Sequence, residues 1–174
     1  MFQIGEMLSV LIETENHEEA LARTLASLVG AAVDGVVREV IVCDRGSTDQ
    51  TQRVAEQAGC DFLASGGVAA GIERARGDWL LLLEPGARLV DGWMQAVRDH
   101  TEMMKMPGRF ARSSADRPGF LARIFSSDRA LREGLLIRKA QAQPLSRHAK
   151  SAEALARGLA TKRLHAEIRI APPL

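Results

Sequence analysis

Apolar positions along the chain fall into short continuous runs that alternate with helical stripes. Leu8–Ile12 (LSVLI), Val36–Cys43 (VVREVIVC), Cys60–Leu63 and Trp79–Leu83 (WLLLL) are such runs, and runs this short predict strands covered on both faces. Between them lie helix signals. Asn16 with Glu19, and Ser47 with Gln50, have capping-box spacing. Ala20, Leu21, Thr24, Leu25 and Leu28 then fall on one helical face. The second helix is expected to run to Ala58, where Gly59 ends it. A short helix near Ala69–Ala75 stops at Gly77, and Asp91 caps another with Trp93, Met94, Val97 and Met104 on its inner side. Strand and helix in regular alternation predict an α/β fold: an open, mostly parallel sheet with helices on both faces and Trp79–Leu83 in its interior.

The pattern changes after residue 106. Pro107–Asp128 is rich in Arg, Ser, Gly and Pro with isolated apolar residues, which predicts a long basic surface connection. Gly134–Ile137 predicts a strand and Ala152–Ala160 a helix. Leu164, Ala166, Ile168 and Ile170 alternate with Arg163, His165, Glu167 and Arg169, as in a half-exposed strand. The expected organisation is one domain in three stretches: an α/β half over 1–106, a loop over 107–128 and a reduced second half over 129–174.

Charge sharpens that division. Residues 1–100 carry 8 Lys/Arg against 16 Asp/Glu, whereas 101–174 carry 15 against 6. A split of this kind fits either a basic surface for phosphate, membrane or nucleic acid, or two halves that neutralise each other across an interface. Two cysteines cannot build a disulfide framework, no basic leader precedes the first apolar stretch, and no run approaches a membrane span. Together these predict a reducing, cytoplasmic setting. The absence of tyrosine, with 4% aromatics, argues against a nucleic-acid stacking platform.

The strongest local chemistry is Asp44-Arg45-Gly46-Ser47-Thr48-Asp49, directly after the second strand. Ligands of open parallel sheets sit beyond the carboxyl ends of the strands, where a carboxylate can accept from a base N–H or a ribose hydroxyl. The same residues also suit a plain strand–turn–helix junction.

In order along the chain, Ser9–Glu18 (SVLIETENHE), Val42–Asp49 (VCDRGSTD) and Gly71–Gly86 (GIERARGDWLLLLEPG), followed by Gly92-Trp93, resemble the motifs of the family 2 glycosyltransferases. Those motifs read S-V-I-I-P-T-Y-N-E-E, V-V-D-D-G-S-T-D and G-x-x-x-A-x-G-D-x-x-x-F-L-D-A-D. The resemblance covers about residues 8–100 and fades beyond 130. It implies a GT-A, Rossmann-like fold that binds a nucleotide-diphosphate sugar and transfers the sugar to an acceptor hydroxyl by inverting displacement. By position, Thr14, Asn16 and Asp44 would line the base and ribose pocket, and Arg74 would point toward the phosphates.

Two departures bear on activity. The family's D-x-D, which holds Mg²⁺ or Mn²⁺ against the diphosphate, is replaced by Glu84-Pro85-Gly86. One carboxylate supplies one ligand, so no metal residues are assigned, and Arg45 and Arg88 become candidates, with Glu84, for the diphosphate site. The acidic pair that would deprotonate the acceptor aligns with Ser151 and Ala152, beside Glu153. Transfer from a nucleotide-diphosphate sugar to an unidentified acceptor, with activity weak or lost, is one expectation. The other is a catalytically inactive binding or scaffolding module of the same fold. Peripheral membrane contact through the basic C-terminal half is compatible with either.

Overall fold

A computed structural model of the chain describes residues 8–116 and 129–170. Among these residues, eight strands form one curled sheet in the order β3-β2-β1-β4-β7-β6-β8-β5. Four of them, β1 (Leu8–Thr14), β2 (Val37–Asp44), β3 (Asp61–Leu63) and β4 (Trp79–Leu83), pair in parallel. On the far side of β4 the sheet is mixed: β7 (Leu135–Arg138) is antiparallel to β4 and to β6 (Gly108–Arg112), β6 runs parallel to β8 (Lys162–Arg169), and β5 (Arg88–Leu89) closes the edge antiparallel to β8.

The two-residue period of the strands sorts the core into two layers. Val10, Ile12, Leu81 and Leu83 point to one face, under α1 (Glu18–Val33), α2 (Thr51–Gln57) and α4 (Trp93–Met103). Leu11, Cys43, Leu80 and Leu82 point to the other, under α3 (Gly67–Arg74), α5 (Lys139–Ser146) and α6 (Ala152–Ala156). All five residues of β4 are buried, as expected of an interior strand flanked by helices on both sides.

Three of the expected caps are not formed. Neither Asn16 nor Ser47 caps a helix: α1 and α2 start later, after His17 and Gln50, with no side-chain cap on either. Asp91 is displaced as cap by Gly92, whose φ of 93° turns the chain into α4. Met104 lies beyond α4 and is half exposed rather than on its inner side. The expected loop is also shorter at its start, because Gly108–Arg112 is a strand and a 3₁₀ turn follows at Ser114–Asp116; residues 117–128 lie outside the described residues. The helix expected over Ala152–Ala160 ends at Ala156, and α5, with Pro144 inside it, was not foreshadowed by any apolar stripe.

The loop between α3 and β4 is held by a buried acid. The side chain of Glu39 is 5% exposed and accepts from Ser9 Oγ at 2.6 Å, Arg76 N at 2.6 Å and Arg76 Nε at 2.8 Å. Burial pushes its carboxyl upward, but the hydrogen bonds from Ser9 and Arg76 outweigh this and hold it below the usual range. Close packing matters on the same side: a Cβ on Gly71 would meet Cys43 Sγ at 2.4 Å, so α3 approaches the sheet only because that side chain is absent.

Candidate active site

The carboxyl ends of β1 and β2 carry two turns that are sewn together. Asp44 is buried, and its carboxylate accepts from Gly46 N at 3.0 Å, Ser47 N at 2.8 Å and Ser47 Oγ at 2.5 Å. Ser47 Oγ accepts in turn from Asn16 N at 2.8 Å, and Asn16 Oδ1 accepts from Thr48 N at 2.7 Å. Asn16 has a φ of 56°, a left-handed conformation that asparagine tolerates better than most residues. The two helix starts complete the seam. Glu18 N donates to Asp49 Oδ2, Gln50 N donates to Glu18 Oε2 at 2.7 Å, and His17 N donates to Thr51 Oγ1. Each helix start thereby gains an acceptor for N–H groups that have no partner within the helix.

Beside this seam, at the carboxyl ends of β1 and β4, opens a cleft of about 390 Å³. Its chemistry comes from Glu13, Thr14, Arg45, Glu84 and Glu153, with Leu131 as an apolar wall. Glu13 lies on the same strand face as Ser9 and Leu11 and so faces the α6 side of the sheet. Its side chain is 10% exposed; Oε2 accepts from Ala152 N at 2.5 Å, and Oε1 lies 3.7 Å from Arg45.

Glu84 opens a turn closed by Ala87 N donating to Glu84 O at 3.1 Å, with Pro85 next and Gly86 at a φ of 95°. That is the residue order a type II turn demands. The buried hydroxyl of Thr24 on α1 fixes the turn by accepting from Gly86 N at 2.8 Å. The Glu84 side chain is thus held in the cleft, 12% exposed, with Oε2 3.6 Å from Arg129. Burial pushes its carboxyl above the ordinary range; Arg129 opposes this, while the neighbouring charge of Glu153 adds to it.

Glu153 is committed to its own scaffold. Its oxygens accept from Ala130 N at 2.7 Å and Leu131 N at 2.9 Å. Burial works against its charge, yet the Leu131 and Ala130 N–H groups prevail and hold the carboxyl low. Ser151, at one of the two base positions, caps α6 by accepting from Ala154 N at 3.0 Å. A low-pKa carboxylate with both oxygens occupied is a poor proton acceptor.

Of the residues singled out in the sequence, the cleft gathers Thr14, Arg45 and Glu84, together with Ser151, Ala152 and Glu153 at the base positions. Asp44 and Asn16 lie behind its wall, within the seam. Arg74 ends α3 and pairs with Asp61 at 3.4 Å, and Arg88 sits on β5 opposite Arg169; neither lines the cleft. Glu13 and Arg129 were missed. Glu13 stands at the proline position of the first motif, and a carboxylate closing an apolar strand was the available signal. Arg129 had none, because only the fold brings it to Glu84.

The divalent cation implied by the sequence motifs does not fit these residues. A type II turn replaces D-x-D, its one carboxylate is paired with an arginine, and among the described residues no cluster of three His, Cys, Asp or Glu could hold a metal ion.

Four parallel strands in the order 3-2-1-4, an antiparallel neighbour beyond β4, and a cleft at the carboxyl ends define a GT-A nucleotide-sugar transferase fold. Residues 9–85, which span β1 to the turn after β4, match the model of Glycosyl transferase family 2. No curated protein sequence matches it. Among solved structures it is similar to residues 1–349 of S. aureus TarS, with 18% identity over 95% of this chain and 60% of that one, at a TM-score of 0.64. It is also similar to mannosyl-3-phosphoglycerate synthase from Rubrobacter xylanophilus, with 16% identity, 80% and 56% coverage and a TM-score of 0.58. Glucosyl-3-phosphoglycerate synthase from Mycobacterium tuberculosis, solved with Mn²⁺, UDP and glucosyl-3-phosphoglycerate, gives 17% identity, 81% and 62% coverage and a TM-score of 0.54. At these identities the likeness is one of fold, and the chain spans about three-fifths of each of these solved chains.

Proposed function

We propose that the chain binds a nucleotide-diphosphate sugar in the Glu13–Glu84 cleft without a protein-held divalent cation, and that its sugar-transfer activity is weak or lost. One observation carries this: Glu13, Glu84 and Glu153 are each already engaged within the chain, by Ala152 N and Arg45, by Arg129, and by Ala130 and Leu131 N. None of these three is free to complete a metal site or to deprotonate an acceptor, and Glu15, the other acid lining the cleft, is exposed on the turn after β1. In this reading Thr14 and Arg45 meet the nucleotide, Asp44 acts by shaping the turn behind them, and Arg45 is the cation offered to the diphosphate. Arg74 and Arg88 take no part. The acceptor is unassigned and the setting is cytoplasmic.

Titration calorimetry with UDP and UDP-glucose, in Mn²⁺ and in chelator, tests the proposal. The expected outcome is the same affinity in both, weakened by Arg45→Gln, with no sugar released or transferred. A tenfold gain in Mn²⁺, about 1.4 kcal/mol, would overturn it. A second reading, a scaffolding module that binds no nucleotide, is favoured by the charge of the cleft, where Glu13, Glu15, Glu84 and Glu153 outnumber Arg45. Failure of nucleoside diphosphates and their sugars of every base to bind would select it. Either reading is compatible with a peripheral contact between the basic C-terminal half and an anionic membrane, which we include in the proposal.

A further inference from the structure

The exposed large apolar side chains of the described residues fall at two places, the ends of two helices. Val29, Val33, Met103, Met104 and Met106 are those exposed, with Met103 at 79%. Val29 and Val33 end α1, and the methionines end α4 and lead into β6, so all five lie at the amino-end rim of the sheet, opposite the cleft.

The register of the strands fixes what surrounds the methionines. Trp79 pairs with Arg138, Gly108 with Leu136 and Gly108 with Lys162, so Arg138 and Lys162 share the rim from which the Met103–Met106 segment enters β6. Lys162 N donates to Pro107 O at 2.8 Å, directly after Met106. A second cleft, of about 630 Å³, opens there and is lined by Met104, Lys105 and Arg138 among others, with Asp78 as its one carboxylate. The segment is held rather than frayed. Met104 N donates to His100 O at 2.8 Å, and buried His100 places Nε2 2.7 Å from Met106 O. Lys139, also on this rim, is occupied, because its ammonium donates to Ala75 O.

A fixed turn that shows three flexible apolar side chains around a lysine, with two further cations beside it, has the composition of an interfacial contact: apolar tips enter the acyl boundary while cations meet anionic headgroups. We infer that the rim formed by Met103, Met104, Met106, Lys105, Arg138 and Lys162 is where this chain docks on an anionic lipid bilayer, leaving the Glu13–Glu84 cleft facing away from it. This rests on the membrane contact proposed above and adds its location and chemistry. Nucleic acid is the weaker occupant, because exposed methionines gain nothing from a phosphate backbone and no aromatic platform adjoins them.

Flotation of the full chain with phosphatidylserine–phosphatidylcholine vesicles, against phosphatidylcholine alone, tests it. The parent is expected to float with the anionic vesicles and to lose the association in high salt. Lys105→Gln, Arg138→Gln and Lys162→Gln should each weaken partitioning by about fivefold. A triple Met103→Ser, Met104→Ser, Met106→Ser variant should lose it even at low salt, with an unchanged melting curve because these side chains are exposed. If the parent floats and the methionine variant floats equally well, the docking site is misplaced and the inference falls while the membrane contact stands. If the parent ignores anionic vesicles, the membrane contact itself falls. Salt-sensitive binding to duplex DNA that equals vesicle binding and is indifferent to the methionines would show general polyanion adhesion and would likewise overturn the site.

Discussion

Two neighbouring regions at the carboxyl ends of the strands use similar residues in opposite ways. In the seam between the β1–α1 and β2–α2 turns, three acids have short-range jobs: Asp44 accepts three hydrogen bonds from its own turn, and Glu18 and Asp49 serve each other's helix starts. In the cleft beside it, Glu13 and Glu84 face arginines at 3.7 and 3.6 Å, beyond hydrogen-bond distance, and each retains a buried oxygen without a hydrogen bond. The seam is satisfied, and the cleft keeps two buried carboxylate oxygens without a hydrogen bond. The residues that keep the family's motif build scaffold, whereas the substituted positions decide what the cleft can hold.

The largest effect should come from breaking the seam. Asp44→Ala removes three acceptors from buried donors, and hydrogen bonds to a charged group contribute about 1.5–3 kcal/mol. We expect a loss of about 3 kcal/mol, or roughly 6–12 °C in Tm for a chain of this size, measured by thermal denaturation. A variant as stable as the parent, with only its nucleotide affinity reduced, would show that Asp44 belongs to the cleft and that the contrast is false.

Gly71→Ala should follow. The added methyl would lie 2.4 Å from Cys43 Sγ and 3.2 Å from Leu11 Cδ2, both buried, and overpacking of this kind costs about 1–3 kcal/mol. Adding Cys43→Ala should recover part of the loss, because the two changes share one space. Additive losses in the double variant, read from denaturant unfolding, would place the clash elsewhere.

What was legible in advance follows the same division. Strands β1, β2 and β4 were legible because burial on both faces writes itself as continuous apolar runs. The caps at Asn16 and Ser47 failed because the short polar side chains that suit a cap suit a turn equally well, and here a neighbouring turn competed for them. Strand β6 (GRFAR) carries one large apolar residue, and its pairing with β7 and β8 overrides weak local preference. In the cleft, Glu84 was visible as a degenerate motif. Its partner Arg129 and the two N–H groups that occupy Glu153 were not, since each is brought in from a distant segment and no local spacing records it.

Glu39 offers a smaller, pH-dependent test of a satisfied acid. Its folded carboxyl is held below 4.5, so it binds fewer protons folded than unfolded, and its contribution is present at neutral pH and lost as pH falls below 4.5 through the folded value. Glu39→Gln should cost about 2 kcal/mol at pH 7 and progressively less in acid. A cost independent of pH would mean that the carboxylate's charge plays no part in holding Arg76.

The smallest effect, and the opposite sign, is expected at Glu84. Burial raises its folded carboxyl above 4.5, so in the window above that value the folded state binds more protons than the unfolded one. Its contribution to stability is therefore full below 4.5 and is lost as pH rises through the folded value. Glu84→Gln keeps the shape, removes the buried charge and should flatten that slope. Near neutral pH we expect a variant within about 1 kcal/mol of the parent and on the stabilising side, since the raised carboxyl means that burial costs the charged form more than Arg129 returns. Denaturant unfolding at several pH values decides it. A variant much weaker than the parent at pH 7 would mean that the Glu84–Arg129 pair holds the cleft together, and the cleft would then be as structural as the seam.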